Sequence, residues 1–267
     1  MASWFLRSDI EPFLRLAKAE GWVCGKWELE FLLQTFPQGC LVKRDGNETV
    51  GYITSLRHDK SGWVGNLLVA PQARRGGIGT ELMQGALHAL LDGGVKTVWL
   101  TASEKGVELY KKLGFIAIDN INRWVGEGGG RSGWRTSPRW DPEMLRHVDS
   151  AGWGDSRDSL LTITSGRGHV ICGNYSFVCI QHWPQGTQLG PWGALLEGQA
   201  APLLGLALAA AGKSVFLDVP AGNVTAAALL TRNGFSIRGG NTLMYLGAKP
   251  KYVPQKVFAL ASMGSMG

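Results

Sequence analysis

Apolar positions along this chain follow two periods in turn, and the switches between them predict an α/β protein. Ile10, Phe13, Leu14 and Ala17 fall on one face of a helix that Ser8 or Asp9 would cap and that runs to about Glu20. Trp27 to Thr35 continues as a second helix, closed by Phe36-Pro37-Gln38-Gly39. Cys40 to Lys43 and Thr49 to Arg57 then read as antiparallel strands joined by the turn Asp45-Gly46-Asn47. The apolar run from Trp63 to Val69 reads as a buried strand. Leu82, Met83, Ala86, Leu90 and Leu91 follow as the packed stripe of a longer amphipathic helix. Thr97 to Phe115 reads as a strand, a short helix from about Glu104 to Lys112, a glycine at its end and the start of another strand.

The pattern repeats. Gly234-Phe235 lies 234 − 114 = 120 positions beyond Gly114-Phe115, and SVFLDVPAGNVTAAALLTRNGF mirrors TVWLTASEKGVELYKKLGF. Pro191 is also 120 beyond Pro71, with an apolar helix after it. Between the two units, Gly126 to Trp140 carries five glycines and a proline, which is linker composition. The expected organisation is therefore residues 1–127, a Gly-rich linker 128–140, and residues 141–267, each unit of ordinary domain size.

Candidate chemistry concentrates between the Trp63 strand and the helix that follows it, in VAPQARRGGIGTELM. Gly76, Gly77 and Gly79 leave no side chains where a backbone must approach a ligand. Peptide N–H groups of the turn and of the first helical turn would converge on an anion, helped by the helix dipole, with Arg74 and Arg75 adding charge. A P-loop would need Lys and then Ser or Thr after its last glycine, whereas Gly79 is followed by Thr80 and Glu81. A dinucleotide fingerprint would run G-x-G-x-x-G, which these glycines do not. The reading is a pyrophosphate cradle.

The spacing R-x-x-G-x-G at Arg74, Gly77 and Gly79, preceded by L-x-V-x-P at Leu67, Val69 and Pro71, resembles the acetyl-CoA loop of the GNAT superfamily of N-acyltransferases. The downstream L-Y-K-K-L-G-F is similar to the GNAT segment in which a tyrosine faces the thioester sulfur. That resemblance implies two tandem GNAT-like domains, each a mixed, mostly antiparallel twisted sheet flanked by helices. It implies acetyl-CoA as cosubstrate, bound by Arg74, Arg75, Gly76, Gly77, Gly79 and Thr80, with the backbone of Leu68 and Val69 pairing the pantetheine amides. Ser103 stands where many members carry an asparagine. Tyr110 would protonate the departing thiolate; an unperturbed tyrosine has a pKa near 10, close enough to a thiol for transfer not to be steeply uphill.

The second unit resembles the C-terminal half of tandem members through Gly190-Pro191-Trp192 and Val219-Pro220-Ala221-Gly222-Asn223. Its cradle counterpart, Leu195 to Ala200, has Leu for Arg and carries Glu197, and Leu230 stands in the tyrosine position. It is expected to keep the fold, to lose the acyl-CoA chemistry, and to shape the acceptor site or act as an internal dimer partner.

The base that deprotonates an amine acceptor is harder to place. The Trp63 strand offers only Asn66; His58, beside Asp59, is the nearest titratable candidate. Glu28 and Glu30 could line the acceptor entrance, and His182 and Asp218 could reach a shared cleft. Composition narrows the class further. The 267 residues carry a formal net charge of +6, but no basic run of five or six, which argues against nucleic acid. The longest apolar run, Ala200 to Ala211, is too short and interrupted to span a bilayer. Four cysteines show no zinc spacing, so no metal and a reduced, cytoplasmic protein are expected. Of eleven tryptophans, most are expected in the core or between domains and one or two on a pocket wall. The expected function is acetyl transfer to a small-molecule or peptide amine by a monomer with an internal pseudo-dimer, or by a homodimer. The alternative is a non-catalytic acyl-CoA-binding regulator.

Overall fold

The two halves share one sheet. The computed structural model describes residues 2–129 and 141–267, so most of the expected linker lies outside the described residues. In the first half, β1 (Ser3–Trp4), α1 (Ile10–Ala19) and α2 (Lys26–Thr35) precede the meander β2 (Leu41–Asp45), β3 (Glu48–Arg57) and β4 (Ser61–Val69). Then come α3 (Ile78–Asp92), β5 (Thr97–Ala102), α4 (Val107–Lys112) and β6 (Ile116–Glu127). The second half repeats this order: α5 (Pro142–Trp153), α6 (Asp158–Arg167), β7 (His169–Gly173), β8 (Ser176–Trp183), β9 (Gly186–Ala194), α7 (Ala200–Ala210), β10 (Ser214–Pro220), α8 (Val224–Arg232) and β11 (Ser236–Gly247). A short β12 (Val257–Ala259) follows.

The strand order is β1-β2-β3-β4-β5-β11-β6-β10-β9-β8-β7. Each half has given its last long strand to the other: β11 pairs with β5, and β6 pairs with β10. The two exchanged strands also pair with each other over nearly their whole length. Only β4–β5 and β9–β10 run parallel, which makes the sheet mixed and mostly antiparallel.

Burial of alternating faces explains the layers. Tyr52, Leu56 and Leu68 turn to one side and pack with α1, α2, α5 and α6 in one continuous core. Ile53, Val64 and Leu100 turn to the other, under α3 and α4. The stripe of α3 is Leu82, Met83, Ala86, Leu87 and Leu90; Leu91, expected on it, is 55% exposed because it lies one step round from Leu90 and Leu87. Asp9 does not cap α1. Its carboxylate takes the Leu6 N–H and both arms of Arg44, which holds its pKa below the ordinary value even though burial opposes that.

Two sequence equivalences are corrected. The short helix starts at Val107 rather than near Glu104, because residues 104–106 form the turn that leads into it. Pro191 lies inside β9 and is not the counterpart of Pro71, which opens a 3-10 turn. The equivalent turn in the second half is Glu197–Gln199. In the first half four residues, Arg74 to Gly77, separate that turn from α3; in the second, α7 begins directly after it. The second half therefore lacks the loop itself, beyond lacking its arginine.

Candidate active site

The parallel strands β4 and β5 pair only from Ser61/Thr97 to Trp63/Trp99 and then diverge. At the point of divergence β4 carries a bulge. Its register against β3 steps from Tyr52/Leu68 to Thr54/Gly65, so Asn66 and Leu67 together oppose Ile53. Asn66 adopts a left-handed φ of 56° and donates its amide to Thr54 Oγ1 at 3.0 Å, which secures the bulge from within.

Hydrogen-bond alternation fixes which peptide groups face the opening. Ala70 donates to Val50 O at 2.8 Å, so residues 70 and 50 are a hydrogen-bonded pair and Leu68 with Tyr52 is the next. Leu68 thus spends its peptide groups on β3. Leu67 and Val69 turn theirs away from β3, and the Val69 carbonyl is taken by Arg74 Nε at 2.9 Å.

The cradle lies at the mouth of this opening. Gly77, with φ of 79°, is the residue that turns the chain into α3, and Arg75 is left-handed as well. A Cβ at Gly77 would meet nothing within 4 Å; at Gly76 and Gly79 its nearest neighbours would stand 3.7–3.8 Å away. Protein packing does not therefore demand three glycines, and the room they leave is open. The first intrahelical bond of α3 is Glu81 N–H to Gly77 O, so the N–H groups of Ile78, Gly79 and Thr80 precede the helical ladder. Arg75 is exposed beside them; Arg74 bonds Val69 O at 2.9 Å and pairs with Glu20 across the opening. Open backbone, free helical N–H groups and two guanidinium groups fit a diphosphate.

Behind the cradle is a cleft of about 500 Å³, in the range of small-molecule sites. Tyr110 and Ser103 line it from the α4 side, and Asn66 and Leu67 from β4. Tyr110 packs edge-on against Phe115, and burial pushes its pKa up to about 12. That makes it roughly three to four orders of magnitude weaker as an acid than an ordinary thiol, correcting the near-match expected from the sequence. The second half supplies the far wall, including Trp183, Gln188, Phe216 and Asn241. Arg123 joins them on exchanged β6, held at 2.7 Å on both arms by fully buried Asp218 directly opposite on β10.

The floor was not legible in the sequence. After β12 the chain reaches under β4 and β5: Asn66 N–H donates to Gly264 O at 3.2 Å, and the Thr101 hydroxyl donates to Met263 O. Ser262 and Ser265 line the cleft from below, and Ser265 Oγ donates to Glu28 Oε1 at 2.6 Å. Glu28 does not line an entrance; it is 1% exposed behind Ser265, where its other oxygen takes the Gly25 N–H at 2.9 Å. Burial raises its pKa to about 7 against these hydrogen bonds. The run SMGSMG offers only small and flexible residues, a signal too weak to place these groups.

The corresponding cleft of the second half is filled by the protein itself. β12 pairs with β9, and Leu260 N–H donates to Asp218 O on β10, so residues 257–260 lie between the two strands. Asn223, whose position corresponds to Ser103, caps α8 through Ala226 N–H and donates its amide to Val257 O at 2.9 Å and Gln255 O at 3.3 Å.

His58 is not brought to the cleft. It lies where β3 and β4 meet at the closed end of the splay, 7% exposed, with both ring nitrogens unpartnered. Burial, then Arg157, lowers its pKa to about 3. His182 does not line the cleft either, and packs against His169. Because unfolded His58 takes up a proton below pH 6.5 and the folded ring does not, this residue lowers stability by about 1.4 kcal/mol per pH unit from 6.5 downward. Urea melts of His58→Phe and wild type should therefore diverge by about 2 kcal/mol more at pH 5 than at pH 7; a constant difference would show that the ring is protonated in the fold.

A splayed parallel pair, a β4 bulge and a glycine-arginine loop opening a helix define a nucleotide-thioester acyltransferase fold. Residues 2–115 match the model of the acetyltransferase (GNAT) family, and residues 145–259 match a second acetyltransferase (GNAT) domain model. The chain belongs to the GNAT family and carries two of its domains in tandem. It is 30% identical over 106 residues to N-alpha-acetyltransferase 30 of Homo sapiens, a match covering 37% of this chain and 29% of that protein. The Xenopus laevis protein of the same name matches to the same extent, over 39% of its length. The chain thus spans well under half of these relatives. A presumed acetyltransferase from Pyrococcus horikoshii superposes over all of this chain and 95% of its own, with a TM-score of 0.86 at 22% identity. A GCN5-related N-acetyltransferase from Sphaerobacter thermophilus gives 0.66 at 17% identity, over 97% and 98% of the two chains. Both likenesses show the fold. Among the described residues no helix is long and apolar enough to cross a membrane.

Proposed function

We propose that this protein transfers an acetyl group from acetyl-CoA to a primary amine, with the cleft of the first half as the reaction site. One observation carries the reading: Tyr110 lines a cleft together with Leu67, which lies against Gly79 of the anion cradle, and Glu20, which pairs with Arg74. Arg74, Arg75 and the backbone of residues 76–80 would hold the diphosphate, and the peptide groups of Leu67 with the Val69 N–H the pantetheine arm. When bound there, acetyl-CoA supplies an acyl group already activated as a thioester. The protein then holds amine and carbonyl in contact, a contribution of about 7–11 kcal/mol when the orientation is good.

The Tyr110 hydroxyl stays protonated throughout the physiological range. It would stabilise the departing sulfur by donating a hydrogen bond, without surrendering its proton early. The second half would set acceptor choice through Trp183, Gln188, Phe216 and Asn241. Similarity to proteins named N-alpha-acetyltransferase supports a polypeptide α-amine as the first acceptor to try. The exchanged strands favour a single chain that is its own pseudo-dimer, and four unpaired cysteines favour a reducing, cytoplasmic setting.

Calorimetry with acetyl-CoA tests the site. Gly79→Asp adds a carboxylate to the first turn of α3, where the helix dipole favours it, and its Cβ meets only ordinary contacts. The variant is expected to melt no lower than wild type and to bind acetyl-CoA at least a hundredfold more weakly. Unchanged affinity would remove the cradle from the reading.

A further inference from the structure

The cleft needs an outlet for the proton of its amine; β4 and β5 bring no carboxylate to it, and of the two on its rim Glu20 is tied to Arg74 and Glu104 is exposed in the turn before α4. A buried carboxylate does stand one hydroxyl away. Ser262 and Ser265 both line the cleft, with their hydroxyl oxygens 2.7 Å apart, and Ser265 reaches Glu28 at 2.6 Å. Ser265 donates to ionised Glu28, and Ser262 lies within hydrogen-bonding reach of both Ser265 Oγ and the Glu28 carboxylate. Ser262 Oγ accepts the Ser265 N–H at 3.2 Å and keeps one lone pair for a donor in the cleft.

A role confined to holding the fold accounts for part of this. Glu28 completes the capping box of α2 by accepting the Gly25 N–H. It does not account for a second carboxylate oxygen aimed at a cavity through hydroxyls that themselves line it. Burying a carboxylate is costly unless it is fully satisfied, and a neutral amide or hydroxyl would latch the chain end more cheaply.

We propose that Ser262, Ser265 and Glu28 form a proton relay from the acceptor amine to a buried carboxylate, an inference that rests on the acetyl-transfer reading above. An N–H bond of the acceptor breaks and its proton passes to Ser262 Oγ, while the Ser262 proton moves to Ser265 Oγ and the Ser265 proton to Glu28 Oε1. The electron pair stays on nitrogen, which attacks. The serines end as they began, Glu28 ends neutral, and after product leaves it returns the proton along the same hydroxyls. Nothing is oxidised or reduced. Glu28 and Ser265 act through Ser262 and are positioning residues in this scheme.

The groups facing Glu28 are consistent with this task. Arg167 on α6 favours the carboxylate electrostatically while its guanidinium stacks over Trp27. Cys24, just before α2, is kept a neutral thiol by burial and by Glu28 itself, its pKa raised to about 12. Burial outweighs these and the hydrogen bonds, leaving Glu28 poised near neutrality.

The full chain is assayed for CoA release from acetyl-CoA with a short peptide bearing a free N-terminus and with spermidine, from pH 5.5 to 9. Glu28 is titrated in the same protein by its carboxyl infrared band, identified as the band missing from Glu28→Gln. The expected wild-type kcat/KM rises with a midpoint near 7, matching the carboxyl titration. Ser265→Ala, which keeps Glu28 and its bond to Gly25, is expected to lose at least tenfold in kcat with KM for acetyl-CoA unchanged, and to lose the limb near 7. Glu28→Gln should behave alike, and Ser265→Thr should restore most of the rate.

A rate loss in Ser265→Ala that keeps the limb near 7 would reduce the contact to a latch and overturn the relay, as would a carboxyl titrating near 4.5. Wild type that turns over while both variants match its profile overturns the relay alone. Wild type that binds acetyl-CoA yet releases no CoA with either amine overturns acetyl transfer to these amines and the relay with it.

Discussion

Tyr110→Phe is expected to bind acetyl-CoA as wild type does and to lose roughly 10²- to 10³-fold in kcat, the range for removing a positioned proton donor. The substitution deletes one oxygen from a ring already packed on Phe115, so folding should be untouched. The hydroxyl has a pKa of about 12 and would act as a hydrogen-bond donor to the sulfur. The loss should therefore fall wholly on kcat and remain constant from pH 6 to 9, because the donor does not titrate there. Stopped-flow or steady-state CoA release measures it. A loss that grows towards high pH would mean that the tyrosine ionises in use, and undiminished turnover would remove it from the reaction.

Asn223→Ala should have the largest effect on stability and, through the cleft floor, a large one on rate. This one side chain caps α8 and ties residues 255 and 257 into the filled cleft of the second half. Losing the cap costs about 1 kcal/mol and leaving the buried Val257 carbonyl unpaired about 2 more. At about 2–4 °C per kcal/mol for a chain of this size, the melting temperature should fall by about 6–12 °C. The segment it ties down continues five residues later into Ser262, so at temperatures where the variant is still folded kcat should drop by more than tenfold. Thermal denaturation beside CoA release checks both. Destabilisation with full activity would show that the end of the chain holds its place without Asn223.

The split between what was legible in the sequence and what was not follows from the range of the interactions. Local signals carried well: helix stripes and the glycine turns at Gly114 and Gly234 depend on residues near one another. An error of one residue arose at Leu91, because a pattern of apolar positions does not say which neighbour a helix meets. Pro191 misled because the offset is 120 at the ends of the short helices but 186 − 61 = 125 at β9 and β4, which are equally long, and the loop after them has changed length. His58 was misplaced because adjacency to an acidic neighbour says nothing about burial. The pairing of Glu28 with Ser265 joins positions 237 apart and depends on how a whole second sheet half folds back. No local rule reaches that far.

The exchange of β6 and β11 has a consequence for inheritance. A strand lent across the seam makes each repeat an unfinished body without its sibling, so neither can decay freely. Damage to the packing of the repeat without the loop would be felt in the cleft of the other through the strands they exchange. Both repeats thus stand as guarantors of the shape of a single cleft.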